Sequence, residues 1–434
     1  MAAGAGLFLC TAGFAQDAVV PPPQIVEPPL PVISASEAEA LQPSPEPAPI
    51  VNEVGPEVEL NGRPVAETPR RFHYTFSVTA RGVYDDNIYN SSMNRVSDYY
   101  FTIEPAITLG LGGGDSDNSL GFIYRPSLFL FLDNSGNDSV QQIIQLLASH
   151  SFGHLSLSFS QDVQLLDGTD LNSLTDPTGH QANTDVSGRN RHQIYNTQLS
   201  GSYDLTGKLF LSAAGMFSAD EYQSSLVSSQ TIGGNLFINY NYSEKLIVGV
   251  GGTGGYNTTD PSTNDQTFEQ ANVRLNYSAT AKISLSASGG VEFRQFGSDS
   301  GNNVSPVYDL TASYQPFDGT SLSLTGSRHT TNSASLVGQD FSETTINFSL
   351  TQRLMQRFFF GFAVGYTNSD YFSTVSGVSA TRNDNFFYID PSVDFNVTRF
   401  WTFGAYYVHR EDSSSFSFFS FTDNQVGLRT KLTF

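Results

Sequence analysis

From Phe72 onward, apolar and polar residues alternate along the chain, and isolated charged residues occupy polar positions of this alternation. Because alternate residues of a strand share one face, these charges would line one polar surface, the wall of a lumen. Charges on such a wall attract or repel solutes according to their sign. The candidates, six basic and six acidic, are Arg81, Glu104, Arg125, Asp204, Arg274, Glu292, Arg294, Asp309, Arg353, Asp390, Asp394 and Arg429. Their balance predicts weak ion selectivity. The alternative is that they only pair across strands and hydrate the wall.

The seven histidines raise a second possible chemistry, hydrolysis. A Ser–His arrangement needs both groups on neighbouring strands at one rim. His150 and His154 flank a predicted turn and His409 lies beside a predicted loop, but Ser and Asn are so frequent that such neighbours arise by chance. The Asp-rich connections lack the spacing of a calcium loop. The sequence therefore predicts no enzyme, no catalytic residue, no metal site and no cofactor.

The elements that must carry the charged residues are β-strands. Phe72, Tyr74, Phe76 and Val78 share one parity, and similar runs recur to the end of the chain. No run after residue 20 approaches the ~18–20 consecutive apolar residues of a transmembrane helix. In a sheet that closes within a membrane, the apolar parity faces lipid and the polar parity faces the lumen. The sequence predicts an all-β fold, a transmembrane antiparallel β-barrel of about 18 strands (16–18 being the range), over residues 72–434.

The connections between the strands show a second regularity. Short ones such as Thr206-Gly207 and Thr398-Arg399 alternate with longer, Asn/Asp/Ser-rich ones such as 167–190 and 370–385. Outer-membrane barrels have tight periplasmic turns on one rim and long external loops on the other. A soluble sandwich or propeller would not sort its connections by parity. An even number of strands would place both ends of the barrel on the periplasmic side.

The N-terminal part has a different composition. Residues 1–15 are small and apolar and end in Gly13-Phe14-Ala15, which fits a signal-peptide cleavage site; the missing basic residues indicate a start codon upstream. Residues 16–71 are rich in Pro and Glu, which predicts a disordered periplasmic spacer. The net charge of −21 argues against nucleic-acid binding.

The last residues of the chain again alternate in polarity. Leu428, Leu432 and Phe434 share the apolar face of a strand that ends on an aromatic residue. This pattern predicts a membrane-insertion signal and localisation in the outer membrane of a Gram-negative bacterium. The expected partners are outer-membrane lipid, lipopolysaccharide and, during insertion, the barrel-assembly machinery, with polysaccharide or export components as further candidates. The oligomeric state stays open.

One group of residues carries a family resemblance. Gly82-Val83-Tyr84-Asp85-Asp86-Asn87-Ile88, followed by Ser97-Asp98, Pro105 and Tyr124, resembles the opening of a family of β-barrel porins. These proteins accompany surface- or exopolysaccharide gene clusters in Gram-negative bacteria. The resemblance implies an outer-membrane barrel with a connection to polysaccharide export, and it supplies no catalytic residues. Elsewhere, only the general barrel pattern agrees.

These observations predict a porin-like channel with weak ion selectivity. The first alternative is an accessory barrel for exopolysaccharide export, gated by a partner. The second is a structural or adhesive surface protein, which a lumen closed by inward Tyr and Phe would favour. The third is a lipid-modifying enzyme, for which the sequence supplies no catalytic group.

Overall fold

The structure, a computed structural model, describes residues 72–112, 118–168, 185–223, 225–260, 265–297, 301–378 and 380–434. The predicted signal peptide (1–15) and spacer (16–71) lie outside these residues. The eighteen strands are β1 (Phe72–Asp85), β2 (Asp98–Gly112), β3 (Asn118–Phe131), β4 (Ser139–Ser151), β5 (Leu155–Gly168), β6 (Asn190–Asp204), β7 (Leu209–Tyr222), β8 (Ser228–Ser243), β9 (Leu246–Asp260), β10 (Gln266–Thr280), β11 (Ile283–Phe296), β12 (Asn302–Tyr314), β13 (Thr320–Asn332), β14 (Gln339–Leu354), β15 (Phe358–Ser373), β16 (Asn383–Asn396), β17 (Trp401–Ser414) and β18 (Phe421–Thr433). Ser135–Asn137 forms a short 3₁₀-helix, and no helix among the described residues is long and apolar enough to cross a membrane.

The sheet closes on itself. Each strand pairs antiparallel with its neighbours in the chain, and β1 pairs with β18 from Ser77↔Thr433 to Asp85↔Gln425. Phe76 and Phe434 continue this seam with two mutual backbone hydrogen bonds of 3.1 and 2.8 Å. The prediction of a closed antiparallel barrel of about 18 strands is confirmed.

The connections sort by parity as predicted. One end of the barrel, called here the turn end, carries connections of two to five residues: 113–117, 152–154, 205–208, 244–245, 281–282, 315–319, 355–357 and 397–400. The opposite, loop end carries connections of five to twenty-one residues: 86–97, 132–138, 169–189, 223–227, 261–265, 297–301, 333–338, 374–382 and 415–420. The beginning of β1 and the end of β18 both lie at the turn end.

The two faces of the sheet differ in chemistry all the way round the ring. The outer face carries exposed apolar residues such as Ile103, Val250 and Leu428. On the other face, side chains reach across intervening strands, as only a concave surface allows. Arg274 of β10, for example, donates a 2.7 Å hydrogen bond to Ser212 of β7. The alternation of the sequence is therefore an alternation between an apolar outside and a polar inside.

The β12–β13 ladder has the fewest pairs, seven, among the described strands. β12 and β13 pair only in their turn half, from Tyr314↔Leu322 to Tyr308↔Arg328. Towards the loop end, β12 still pairs with β11 as far as Asn302, and β13 still pairs with β14 as far as Asn332. The two neighbouring strands thus separate above Tyr308, although each keeps its other partner.

The outward parity can be tested on the outer face of β15, where Phe360 is the third residue from the turn end. We expect Phe360→Arg to destabilise the folded barrel in lipid vesicles by ~2–4 kcal/mol if this outer-face position is near the bilayer midplane, because a guanidinium would replace an apolar ring against lipid. Ser349→Arg, at an inner-face position of the neighbouring β14, should be tolerated. Denaturant titration of vesicle-inserted protein measures both, and equal costs would contradict the assignment of faces.

Candidate functional site

The twelve charged residues singled out above all occupy inner-face positions, as the cross-strand register shows when it is followed from strand to strand round the ring. The structure brings six of them together in three ion pairs. Their shortest nitrogen–oxygen distances lie between 2.5 and 2.9 Å, and the pairs are Arg81–Glu104, Arg294–Glu292 and Arg429–Asp394. These six charges therefore neutralise one another in pairs on the wall.

Two of these pairs meet at the seam of the barrel. Arg81 of β1 lies directly opposite Arg429 of β18, an arrangement of like charges that is unfavourable by itself. Each guanidinium is held by an acid on its other side, Glu104 at 2.9 Å and Asp394 at 2.8 Å. The ring of Tyr406 also lies 5.9 Å from one guanidinium carbon and 5.6 Å from the other. The seam is therefore cross-braced by charge as well as by its backbone ladder.

The other six candidates have different surroundings. Arg274 donates to Asn239 and Ser212, both at 2.7 Å, so this guanidinium ties β10 to β8 and β7. Asp309 accepts a 2.8 Å hydrogen bond from His329. The remaining four are distributed around the wall on β3, β6, β14 and β16: Arg125, Asp204, Arg353 and Asp390.

His329 is the histidine closest to a catalytic arrangement. Ser288 donates to Asp309 at 3.4 Å, and Asp309 accepts from His329 at 2.8 Å. The carboxylate thus lies between the hydroxyl and the imidazole, so the imidazole is not placed to take the proton of the serine. The absence of catalysis stays a prediction, and this constellation gives no reason to revise it.

The residues of the predicted insertion signal lie on the outside. Leu428, Leu432 and Phe434 are 54%, 41% and 58% exposed. The Phe434 ring stacks on that of Phe76 with 6.2 Å between centroids. Their role in insertion stays a prediction.

A buried polar cluster at the loop end was missed by sequence reasoning. Asp185, from connection 169–189, accepts hydrogen bonds from Ser333, Ser335, Tyr371 and Arg382; the Arg382 Nη1–Asp185 Oδ1 distance is 2.8 Å. Asp185 and Arg382 are both fully buried. We call these five residues the Asp185 latch.

The latch crosses the barrel. Asp185 belongs to the β5–β6 connection, whereas Ser333 and Ser335 belong to β13–β14, and Arg382 belongs to β15–β16. In a ring of eighteen strands, β5 and β14 lie nine strands apart, so they stand on opposite walls. A side chain from one wall therefore binds three elements of the wall facing it, and the contact runs across the mouth.

Arg382 is held firmly in this cluster. Its guanidinium binds Asp384 at 2.6 Å and lies 3.5 Å from the ring centroid of Phe419. Burial lowers the pKa of Arg382, but the hydrogen bond with Asp384 and the nearby acidic groups outweigh burial and raise that pKa above its usual value. The guanidinium therefore stays charged, and both carboxylates keep their partner.

Apolar contacts close the mouth further. Val186 packs with Tyr222 and Ala334, and the backbone N–H of Val227 donates to the carbonyl of Ala334 at 2.8 Å. Near the seam, Ile88 from connection 86–97 packs into a second cluster of inner-face residues, namely Val83, Tyr100, Phe129, Phe131, Tyr406 and Val408. The loop half of the lumen is thus packed, partly by inward Tyr and Phe.

The turn half of the lumen has smaller side chains. Ser158 and Ser200 bond to each other from β5 and β6, and Gly249 and Gly251 occupy inner-face positions of β9. A polar recess in this half is lined by Arg274, Asn276, Ser286, Ser288, Asp309 and Thr311. The inside therefore combines a hydroxyl-rich turn half with a loop half closed by the latch.

The residues that carry the family resemblance have a structural task here. Asp86 accepts from the backbone N–H and side-chain amide of Asn424 at 2.8 and 2.7 Å, and Asn87 donates to the Thr422 carbonyl at 2.9 Å. Asp98 accepts from the backbone N–H groups of Asp133 and Asn134. Asp86 and Asn87 thus fasten connection 86–97 to β18 across the seam, and Asp98 fastens connection 132–138 to β2.

Three carboxylates of this region approach one another within 4.8 Å: Asp85, Asp86 and Asp423. Protein donors already occupy both oxygens of Asp85, which accepts from the Asn87 N–H and the Gln425 amide. Asp86 is satisfied by Asn424. Asp423 Oδ2 accepts from Arg410 and Gln425, whereas its Oδ1 is buried without a hydrogen-bond partner among the described residues. The absence of a metal site stays a prediction.

No protein-family model and no curated protein matches the chain. Among solved structures, it is similar to OpdK of Pseudomonas aeruginosa, with 10% identity over 83% of this chain and 99% of that one and a TM-score of 0.42. It is also similar to OccK5 (OpdH) of the same organism, with 9% identity over 83% of this chain and 98% of that one and a TM-score of 0.44. The chain spans 63% of the copper transporter OprC, with 9% identity over 78% of this chain and a TM-score of 0.42. Identities and scores of this size assign neither family nor function.

The latch can be tested by removing its acid. We expect Asp185→Ala to free connection 169–189, because its bonds to Ser333, Ser335, Tyr371 and Arg382 would be lost and the buried guanidinium would keep Asp384 as its one acid; removing one partner of a buried ion pair costs up to ~3–5 kcal/mol. Limited trypsin digestion should then cut after Arg382, which is fully buried in the intact protein. Asp167→Ala is the matched control, since Asp167 pairs at the strand end with Arg191, whose side chain is 48% exposed. Equal resistance of Asp185→Ala and the parent protein would contradict the latch.

Proposed function

We propose that the protein is an outer-membrane channel of a Gram-negative bacterium, porin-like and weakly ion-selective, whose mouth is held shut by the Asp185 latch. One observation carries this proposal: a closed ring of eighteen strands has an apolar outer face and a polar inner face, on which the twelve predicted charges divide into six bases and six acids. A soluble protein would bury its apolar parity, whereas a barrel in lipid exposes it.

Exposed aromatic residues near both ends support insertion in a bilayer. Their amphipathic rings suit the interface between headgroups and hydrocarbon. Those towards the turn end are Phe72, Tyr74, Tyr242, Tyr277, Tyr314 and Trp401. Those towards the loop end are Tyr84, Tyr99, Tyr256 and Phe387. Two such belts with aliphatic residues between them match the height of a membrane-spanning barrel wall.

The width of the ring supports a passage. A barrel of eight strands is filled by its own side chains, and one of 16–18 strands leaves an aqueous lumen. The small polar residues of the turn half leave that space available, while the latch and the inward aromatic residues occupy the loop half. We therefore expect little conductance while the latch is closed and a clear rise when it opens.

A second candidate is a barrel for exopolysaccharide export, gated by a partner. The closed loop end favours it, because a free-standing diffusion pore has no need of a buried ion pair across its mouth. The same inward aromatic residues also suit a structural or adhesive surface protein. A latch-free variant that does not conduct would support this third candidate over both channels.

The proposed orientation places the loop end outside the cell and the turn end in the periplasm. We expect Ser415→Cys, in a loop-end connection, to react with a membrane-impermeant maleimide on intact cells. Arg399→Cys, in a turn-end connection, should react only after the outer membrane is permeabilised. Cys10, the chain's single cysteine, falls in the predicted signal peptide. The reverse labelling pattern would overturn the orientation.

The proposed weak selectivity can be measured once the mouth is open. In planar bilayers under a KCl gradient, the Asp185→Ala protein should give a reversal potential near zero. Adding Arg125→Glu should shift it towards cation preference, because this charge faces the lumen. Arg191→Glu makes the same charge change at an outer-face position of β6 and should have little effect. Equal shifts of the reversal potential from Arg125→Glu and Arg191→Glu would show that the wall charges do not select ions.

A further inference from the structure

The separation of β12 from β13 identifies a segment that no longer pairs on both sides within the barrel wall. Above Tyr308↔Arg328, β12 stays a strand and keeps its ladder with β11, but its other edge has no partner strand among the described residues. An unpaired strand edge is a template for a strand to bind. The strand that the register would place there is β13.

A proline alone does not account for this gap. Pro306 of β12 has no N–H to donate, which weakens a ladder locally. The β2–β3 ladder also lapses at Pro105 and Pro126, and the β16–β17 ladder lapses at Pro391, yet both resume within a few residues. The β12–β13 ladder does not resume at any of the four further pairs from Val307/His329 to Val304/Asn332, a longer gap than the three pairs that β4 and β5 leave open beyond Gln142↔Leu165, so something holds β13 away from β12.

The loop half of β13, which is absent from the edge of β12, has folded into the lumen. We call residues 329–343, the tip of the β13–β14 hairpin, the flap. Asp340, Phe341, Ser342 and Glu343 are all at least 93% buried, although two of them hold outer-face and two hold inner-face positions. A segment that still formed the wall would expose one parity to lipid or solvent. The flap is therefore covered on both sides.

Contacts between opposite faces show where the flap lies. Arg294, at an inner-face position of β11, approaches Asp340, at an outer-face position of β14, with 3.8 Å between Nη1 and Oδ2. Beside the flap, the ring of Phe296 from the inner face of β11 lies 6.3 Å from that of Phe372 on the outer face of β15. The outer side of the flap region thus packs against the inner side of β11.

The tucked position is fixed from both sides. Arg294 also donates to the backbone carbonyl of Thr330 at 3.4 Å, a carbonyl that the continued register would set beside Pro306 of β12. On the lumen side, Ser333 and Ser335 bind Asp185 as part of the latch. The Arg294 guanidinium thus occupies the Thr330 carbonyl, which would lie beside β12 in a continuous wall. The latch occupies the hydroxyl groups of Ser333 and Ser335.

We propose that the flap is the gate of this channel. In the open state, it would swing back into the wall and extend the β12–β13 ladder by the pairs Val307↔His329, Pro306↔Thr330, Ser305↔Thr331 and Val304↔Asn332. That movement removes the hairpin tip from the mouth and separates Ser333 and Ser335 from Asp185. In the closed state, the hydrogen bonds of the latch and of Arg294 take the place of these β12–β13 ladder pairs. The inference rests on the proposed channel function and specifies how that channel is regulated.

A disulfide between β12 and β13 tests this movement. Val304→Cys/Asn332→Cys would face each other across the re-formed ladder, where opposed Cβ atoms are ~4.5–5.5 Å apart. We expect oxidation of this pair to raise bilayer conductance of the full-length protein several-fold, and reduction to reverse the rise. The matched control is Leu310→Cys/Gly326→Cys, on the same face of the same strands but already paired. Its disulfide should form without changing conductance.

A second measurement separates failure of the gate from failure of the channel. Asp185→Ala should increase both the conductance and the rate of the Val304→Cys/Asn332→Cys oxidation, because the latch competes with the ladder. Conductance from Asp185→Ala without oxidation of the cysteine pair, or oxidation that leaves conductance unchanged in a conducting protein, would overturn the gate alone. Silence of Asp185→Ala and of the oxidised pair would overturn the channel, and with it the gate. Heat-modified mobility in gels establishes that each variant has folded.

Discussion

The backbone ring is the constraint on which the rest of the structure depends. Peptide N–H and C=O groups in a bilayer have no water to bind, so a sheet can cross it only if every strand has two partners. The mutual hydrogen bonds of Phe76 and Phe434 complete that ring at the β1–β18 seam. Once the ring is closed with an even number of antiparallel strands, parity fixes which side chains face outward. The same parity gathers all connections of fewer than five residues at one end.

The loop half shows what happens where this constraint relaxes. Beyond the apolar belt, a backbone group can bind a side chain instead of a strand, and Arg294 does so at the Thr330 carbonyl. Side chains there also bridge walls that no ladder joins, as Asp185 and Arg382 do. A buried pair of this kind adds little net stability compared with apolar packing, but it is costly to break halfway. It therefore suits a switch between two discrete positions better than it suits a permanent brace.

The barrel could be predicted from sequence because its signal is periodic and repeated. In a run such as Phe358, Phe360 and Phe362, the alternation itself shows which residues share a face. Eighteen such runs indicate the same fold. The inner-face charges followed from the same parity, although the sequence did not show which acid each arginine binds. Arg429 finds Asp394 two strands away, and only the register reveals that distance. The latch could not be predicted, because Asp185 and Arg382 lie in non-periodic connections 197 residues apart. The one local hint was a valine beside Asp185, in a connection otherwise expected to be polar.

The pairing of charges changes what the composition means for function. A count of wall residues suggests weak selectivity through cancellation, but cancellation over a wide wall would still leave local fields. Here Arg81 and Arg429 face each other, and each is neutralised by an acid within 3 Å. The electric field of each guanidinium is therefore weakened close to the charge itself. The twelve predicted wall charges, six basic and six acidic, therefore add nothing to the large negative charge of the chain. In the proposed channel, steric access at the mouth, and therefore the position of the flap, would decide what passes.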